Sequence, residues 1–164
     1  MKYAAIVGTY EKIEGTTKRL EMTDFLVDLL KNTSREIIDK VVYLTQGKIH
    51  PDFVGLEIGV AEKLAIKALA RASGIKESKI KEDLKKTGDI GKTAQNLIGD
   101  KKQVTFFQQP LTVQGVYEVL DKMAKTSGSG AIDLKISLLA GLLAGAAPIE
   151  AKYIMRTVTG NLRL

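Results

Sequence analysis

Residues 59–74 read GVAEKLAIKALARASG, and this stretch sets the terms for the whole chain. Ala and Leu dominate residues 59–72, which therefore read as one strong helix, and Gly74 follows as a left-handed C-cap. The same grammar of amphipathic segment and glycine joint extends in both directions. Downstream, shorter helices are predicted over 77–86, ending at Gly88, and over 90–98, ending at Gly99. Upstream, His50-Pro51 breaks the helical register, because the residue before proline avoids the α region. Before that break, residues 3–14 place Ile6, Tyr10 and Ile13 on one stripe, and residues 17–31 carry Leu20, Phe25, Leu26, Leu29 and Leu30. Thr33 with Glu36 has the form of a capping box, opening a helix with Ile37, Val41 and Leu44 inward and Gly47 beyond its end.

Asp100 to Pro110 departs from the pattern. Its β-branched and aromatic residues lack helical spacing, so it reads as an extended connector between two helical lobes, 1–100 and 111–164. Thr112 then caps a helix to about Thr126, and the Ser127-Gly128-Ser129-Gly130 turn starts another to about Ala146. Pro148 opens the last, which runs to Thr159 before Gly160. The fold class is all-α.

Composition removes most enzyme chemistry. The 164 residues include no Cys, which excludes disulfides, iron–sulfur clusters and thiolate zinc. His50 stands alone, so neither a histidine metal site nor a conventional triad can form. No catalytic residue and no metal ligand is assigned. No apolar run approaches the roughly 20 residues that span a bilayer, and no signal peptide is recognised. The net charge of +6 is uneven: residues 1–40 carry seven basic and seven acidic side chains, so residues 41–164 supply the whole excess. The densest stretch runs from Lys76 to Lys102. A polyanion partner and a plain solvated lysine face are both consistent with that charge.

The glycine turns narrow the choice. Gly88-Asp89-Ile90-Gly91-Lys92-Thr93 is not a P-loop, which needs four residues between its glycines and a strand before it. Gly128-Ser129-Gly130 has no third glycine and no strand, so it is not a dinucleotide fingerprint. A helix N-terminus can nonetheless hold an anion on its unpaired N–H groups, with Thr or Ser hydroxyls and a nearby Lys as further donors. Lys92 follows the first turn, and Lys135 lies about one helical turn beyond the second. The third, Thr157-Val158-Thr159-Gly160-Asn161, sits between Arg156 and Arg163. Each alone reads as a plain helix cap. Three with flanking bases point to binding of a nucleic-acid backbone. Neither aromatic stacking platforms nor an exposed Arg/Asn/Gln reading face is evident, which favours duplex binding without sequence preference.

Four separated motifs then carry a family resemblance. Leu56-Glu57-Ile58-Gly59-Val60-Ala61, Lys86-Thr87-Gly88-Asp89-Ile90-Gly91, Pro110-Leu111-Thr112-Val113 with Val116-Tyr117, and Glu150-Ala151-Lys152-Tyr153-Ile154-Met155-Arg156 with Gly160-Asn161-Leu162-Arg163-Leu164 occur in that order. Together they resemble the N-terminal DNA-binding domain of ATP-dependent DNA ligases, the archaeal ones above all. The resemblance implies two pseudo-symmetric helical lobes that hold nicked duplex across the minor groove. By position it implies DNA contacts at Thr87, Gly88, Asp89 and Gly91, at Ser127, Gly128, Ser129, Gly130 and Lys135, and at Arg156, Thr159, Gly160, Asn161 and Arg163.

Such ligases act in replication, repair and recombination. They seal nicks through a lysine in a Lys-x-Asp-Gly motif, with ATP and Mg2+. Here the one Lys-x-Asp, Lys81-Glu82-Asp83, is followed by Leu84 in a polar helix, so no adenylation site is expected. The chain accordingly reads as a fragment without cofactor of its own, inactive alone, monomeric, intracellular and nucleoid-associated, with no membrane role. Gln103-Val104-Thr105-Phe106-Phe107 resembles the shortened motif by which some archaeal ligases bind the sliding clamp. Gln103, Phe106 and Phe107 are thus either clamp-binding residues or rings packed between the lobes.

Overall fold

The computed structural model describes residues 1–99 and 109–164. Gln103, Phe106 and Phe107 lie outside the described residues. Among those described, nine α-helices and no strand are found: α1 (Tyr3–Glu14), α2 (Arg19–Lys31), α3 (Ile38–Thr45), α4 (Glu62–Ser73), α5 (Glu77–Thr87), α6 (Ile90–Gly99), α7 (Val113–Lys125), α8 (Ala131–Gly145) and α9 (Pro148–Val158). A short 3-10 turn, Asp52–Val54, follows Pro51. The chain is all-α, as the periodicity requires.

Each helix is built by the local signals in its sequence. Ile6, Tyr10 and Ile13 of α1 are buried on one stripe. Thr112 Oγ1 accepts the Gly115 N–H at 3.0 Å and so caps α7. Pro148 occupies the first turn of α9, where its missing N–H costs nothing. Gly74 and Gly88 end α4 and α5 in the left-handed conformation, at φ 72° and 66°.

Two expectations need correction. Thr33 and Glu36 form no capping box: the Thr33 hydroxyl donates back to Leu29 O at 2.7 Å, finishing α2, and α3 starts at Ile38 without a side-chain cap. The helix expected from residue 59 starts at Glu62, because Gly59 has φ 55° and the preceding segment is extended, with Val60 N–H donating to Val158 O. The helix expected over 90–98 does end at Gly99. In addition, α2 buries only Leu29 of its apolar residues, leaving Leu20 81% exposed.

Helices before and after residues 100–108 share one core. α9 lies against α6 and α1, α8 against α4, and α7 against α3, α1 and α8. Every residue from Glu150 to Val158 is buried, charged ones included, so α9 is a central helix, packed chiefly on α6 and also on α1. The start of the chain is tied to α7 by a two-residue bridge, Tyr3 N–H to Leu111 O and Val113 N–H to Met1 O. Among the described residues no helix is long and apolar enough to cross a membrane, and no His/Asp/Glu cluster could hold a metal ion.

Candidate nucleic-acid interface

The first glycine turn joins α5 to α6. Gly88 takes the left-handed conformation, the Asp89 N–H donates to Thr87 Oγ1, and the Thr87 and Thr93 hydroxyls lie 2.8 Å apart. Asp89 is only 7% exposed. Its Oδ1 accepts the Gly91 N–H at 2.8 Å and the Lys92 N–H at 3.4 Å, so the protein's own carboxylate already occupies the N-terminus of α6. Its Oδ2 faces Arg156. Nε approaches at 3.1 Å and Nη2 at 2.5 Å, while Nη1 reaches Glu14 Oε1 at 2.8 Å.

Arg156 therefore lies beneath the turn rather than on its surface, at 2% exposure. Gly91 is buried as well, and its missing side chain is a packing requirement. A Cβ there would stand 2.6 Å from Lys152 O and 2.7 Å from Arg156 Cγ. Glycine at this position lets α6 lie directly against the backbone of α9.

The buried charges continue into α1. Lys152 Nζ donates to Glu11 Oε1 at 2.7 Å and Glu14 Oε2 at 3.1 Å, and the Tyr153 hydroxyl is shared between the same two carboxylates. Burial works against ionised Glu14, but hydrogen bonds from Tyr153, Arg156 and Lys152 outweigh it and hold the carboxyl at about 2. Asp89 is likewise held low: burial opposes its charge, and the Arg156 hydrogen bonds win. Burial and the neighbouring carboxylates push the Tyr153 phenol up, so it stays a donor.

The third turn ends α9 in a Schellman arrangement. Asn161 N–H donates to Arg156 O at 2.8 Å, Gly160 N–H donates to Thr157 O at 3.2 Å, and Gly160 has φ 75°. Leu162 is buried against Gly47. Arg163, exposed, adopts φ 57° and is the non-glycine residue with positive φ among the described residues. The first and third turns meet in space. Gly88, Asp89, Ile90, Thr159, Asn161 and Arg163 line one depression of about 290 Å³, with Val60, Ala61 and Glu62 along another edge.

The second turn stands apart from that depression. Ser127 to Gly130 are exposed at the start of α8, with Gly128 at φ 84° and Gly130 at φ 77°. Gly130 precedes α8 and no side chain caps the helix start, in contrast to α6, although the Ala131 N–H donates to Gly128 O at 3.3 Å. Lys135 is half-buried, and Lys92 on α6 is exposed. The sequence-predicted residues thus fall into two groups. Asp89, Gly91 and Arg156 build the scaffold below; Gly88, Lys92, Ser127 to Gly130, Gly160, Asn161 and Arg163 present the surface, with Thr87 and Thr159 half-buried between them.

Glu11, Glu14, Lys152 and Tyr153 complete this scaffold, and their roles were not foreseen. Lys152 and Arg156, one turn apart in an otherwise inward-facing helix, are the signal that would have found half of it. Glu11 and Glu14 gave none, being in an ordinary amphipathic helix.

Comparison with known proteins defines the class. The family described as DNA ligase N terminus matches residues 2–164, and the chain belongs to that family. It is 46% identical over 164 residues to a DNA ligase of Nitrosopumilus maritimus and 48% identical over 164 residues to DNA ligase 2 of Korarchaeum cryptofilum. It is 50% identical over 171 aligned residues to DNA ligase 2 of Thermofilum pendens. Each comparison covers all of this chain and 28% of the relative, so the chain spans little more than a quarter of those ligases' length.

Proposed function

We propose that this chain is a DNA-binding domain that holds nicked duplex by its sugar–phosphate backbone, on the minor-groove side and without regard to sequence. The observation that carries the reading is the meeting of the first and third glycine turns at one depression, lined by the exposed residues Arg163, Gly88 and Asn161. Cations recognise phosphates, and phosphates carry no sequence information. The uncapped start of α8, with Lys135 a turn inside it, is a second place where a phosphate can sit.

In the parent ligase, working in replication, repair and recombination, the ATP- and Mg2+-dependent lysine adenylation belongs to the length of the relatives that this chain does not span. The task of these residues is to hold the duplex. Titration of labelled nicked duplex, single strand and scrambled-sequence duplex across a salt series tests this. Duplex preference, little sequence dependence and a steep salt slope are expected. Equal affinity for single strand, or binding indifferent to salt, would refute the reading.

A further inference from the structure

One face of α4 carries a row of cations that the glycine turns do not explain. Lys63, Lys67 and Arg71 stand one turn apart, all exposed, while Ala65, Ile66, Ala68 and Leu69 turn into the core. Two four-residue steps make the row about 12 Å long. Among the described residues none of the three has a carboxylate within ion-pair distance, and Glu62 is the one acidic residue of the helix.

Neighbouring α5 is richer in lysine but different in kind. Its Lys79, Lys81, Lys85 and Lys86 are interleaved with Glu77, Glu82 and Asp83, and Lys86 reaches Glu82 at 3.5 Å. That is the pattern of a solvated helix face. Like charges at four-residue spacing on α4 repel one another, and nothing on that face offsets them. The row also has a defined origin. Ala61 and Glu62, immediately before Lys63, border the depression that holds Gly88 and Arg163.

We propose that the exposed face of α4 is a further backbone contact, which takes the duplex from the lip of the depression and follows it along Lys63, Lys67 and Arg71. The inference rests on the duplex-binding reading above. Double-stranded DNA presents a charge about every 1.7 Å of its axis, so a row of this length lies alongside several phosphates, and each cation can neutralise one.

The test uses the 164-residue chain, nicked duplex and affinities measured over a salt series. K63Q/K67Q/R71Q is compared with wild type and with K31Q/R35Q/K122Q, which removes the same charge from exposed positions elsewhere. Since each phosphate contact contributes about 0.9 to the log–log salt slope, the α4 variant should lower the slope by about 2 to 3 and the control should leave it unchanged. Gln preserves helix propensity, and helix content with melting temperature verifies both variants. Should the triple variant melt early, K67Q alone should lower the slope by about 0.9. If wild type binds duplex and the α4 variant keeps its slope, or both triples lose equally, the α4 contact is wrong while the domain reading stands. If wild type binds no duplex at any salt, both fall.

Discussion

Arg156 closes on Asp89 Oδ2 with two donors while Oδ1 of the same carboxylate caps α6, so one buried acid couples the central helix α9 to the turn at the surface. Removing the guanidinium strands a charge that is 7% exposed. Arg156→Met is expected to lower unfolding stability by about 3–5 kcal/mol in denaturant titrations. Adding Asp89→Asn should recover part of that loss, because the orphaned charge disappears. A single-variant loss under about 1 kcal/mol, the scale of one neutral hydrogen bond, would contradict this coupling.

Gly91 predicts a different kind of damage. A methyl group there meets backbone of α9, which cannot swing aside as a side chain end would. Gly91→Ala should therefore cost about 1–3 kcal/mol by overpacking, despite the better helix propensity of Ala. Gly8 and Gly141, each with open space at the Cβ position, are the controls, and alanine at either should be neutral or stabilising.

Acid should loosen the α1–α9 contact. Glu14 is held at about 2 against an ordinary 4.5, so the folded chain binds this proton more weakly than the unfolded chain. Its contribution to stability is complete above pH about 4.5 and is lost as pH falls from there through about 2. Glu14→Gln should flatten the stability profile in that window while changing its slope little near neutrality. An unchanged acid limb would show that Glu14 does not gain from its three donors.

Surface cations should behave in the opposite way to Arg156. Lys92→Gln, Lys135→Gln and Arg163→Gln are each expected to leave stability within about 0.5 kcal/mol and to lower the DNA salt slope by about 0.9. Paired melting and salt-series measurements separate the two classes. An Arg156 variant that melts normally yet loses a full phosphate contact would mean its guanidinium swings outward.

The helical architecture was legible because its signals are local. Thr112, Pro148, Gly74 and Gly88 each act on the turn in which they sit. Thr33 misled because a hydroxyl beside a helix end can bond backward as readily as forward, and here Leu29 O was the nearer acceptor. The glycine turns were found correctly as turns, but which atoms face out is a tertiary matter. Arg156 lies in the basic surroundings of the third turn by sequence and under the first by packing. Glu14 and Arg156 meet from opposite ends of the chain, and nothing in the neighbourhood of either announces the other.

The position of α9 has a kinetic consequence. Residues 148–158 come after every helix they support, yet Ile6, Tyr10, Ile90 and Leu97 belong to the same apolar cluster as Tyr153 and Met155. Contacts of such long sequence separation form slowly, since the intervening loop must close before they reward it. During synthesis α1 to α8 emerge with the groove for α9 still open, so α6 lacks its main packing partner until α9 arrives. Tertiary order around α6 and the buried charges should then arrive late, once residues 148–158 have left the ribosome.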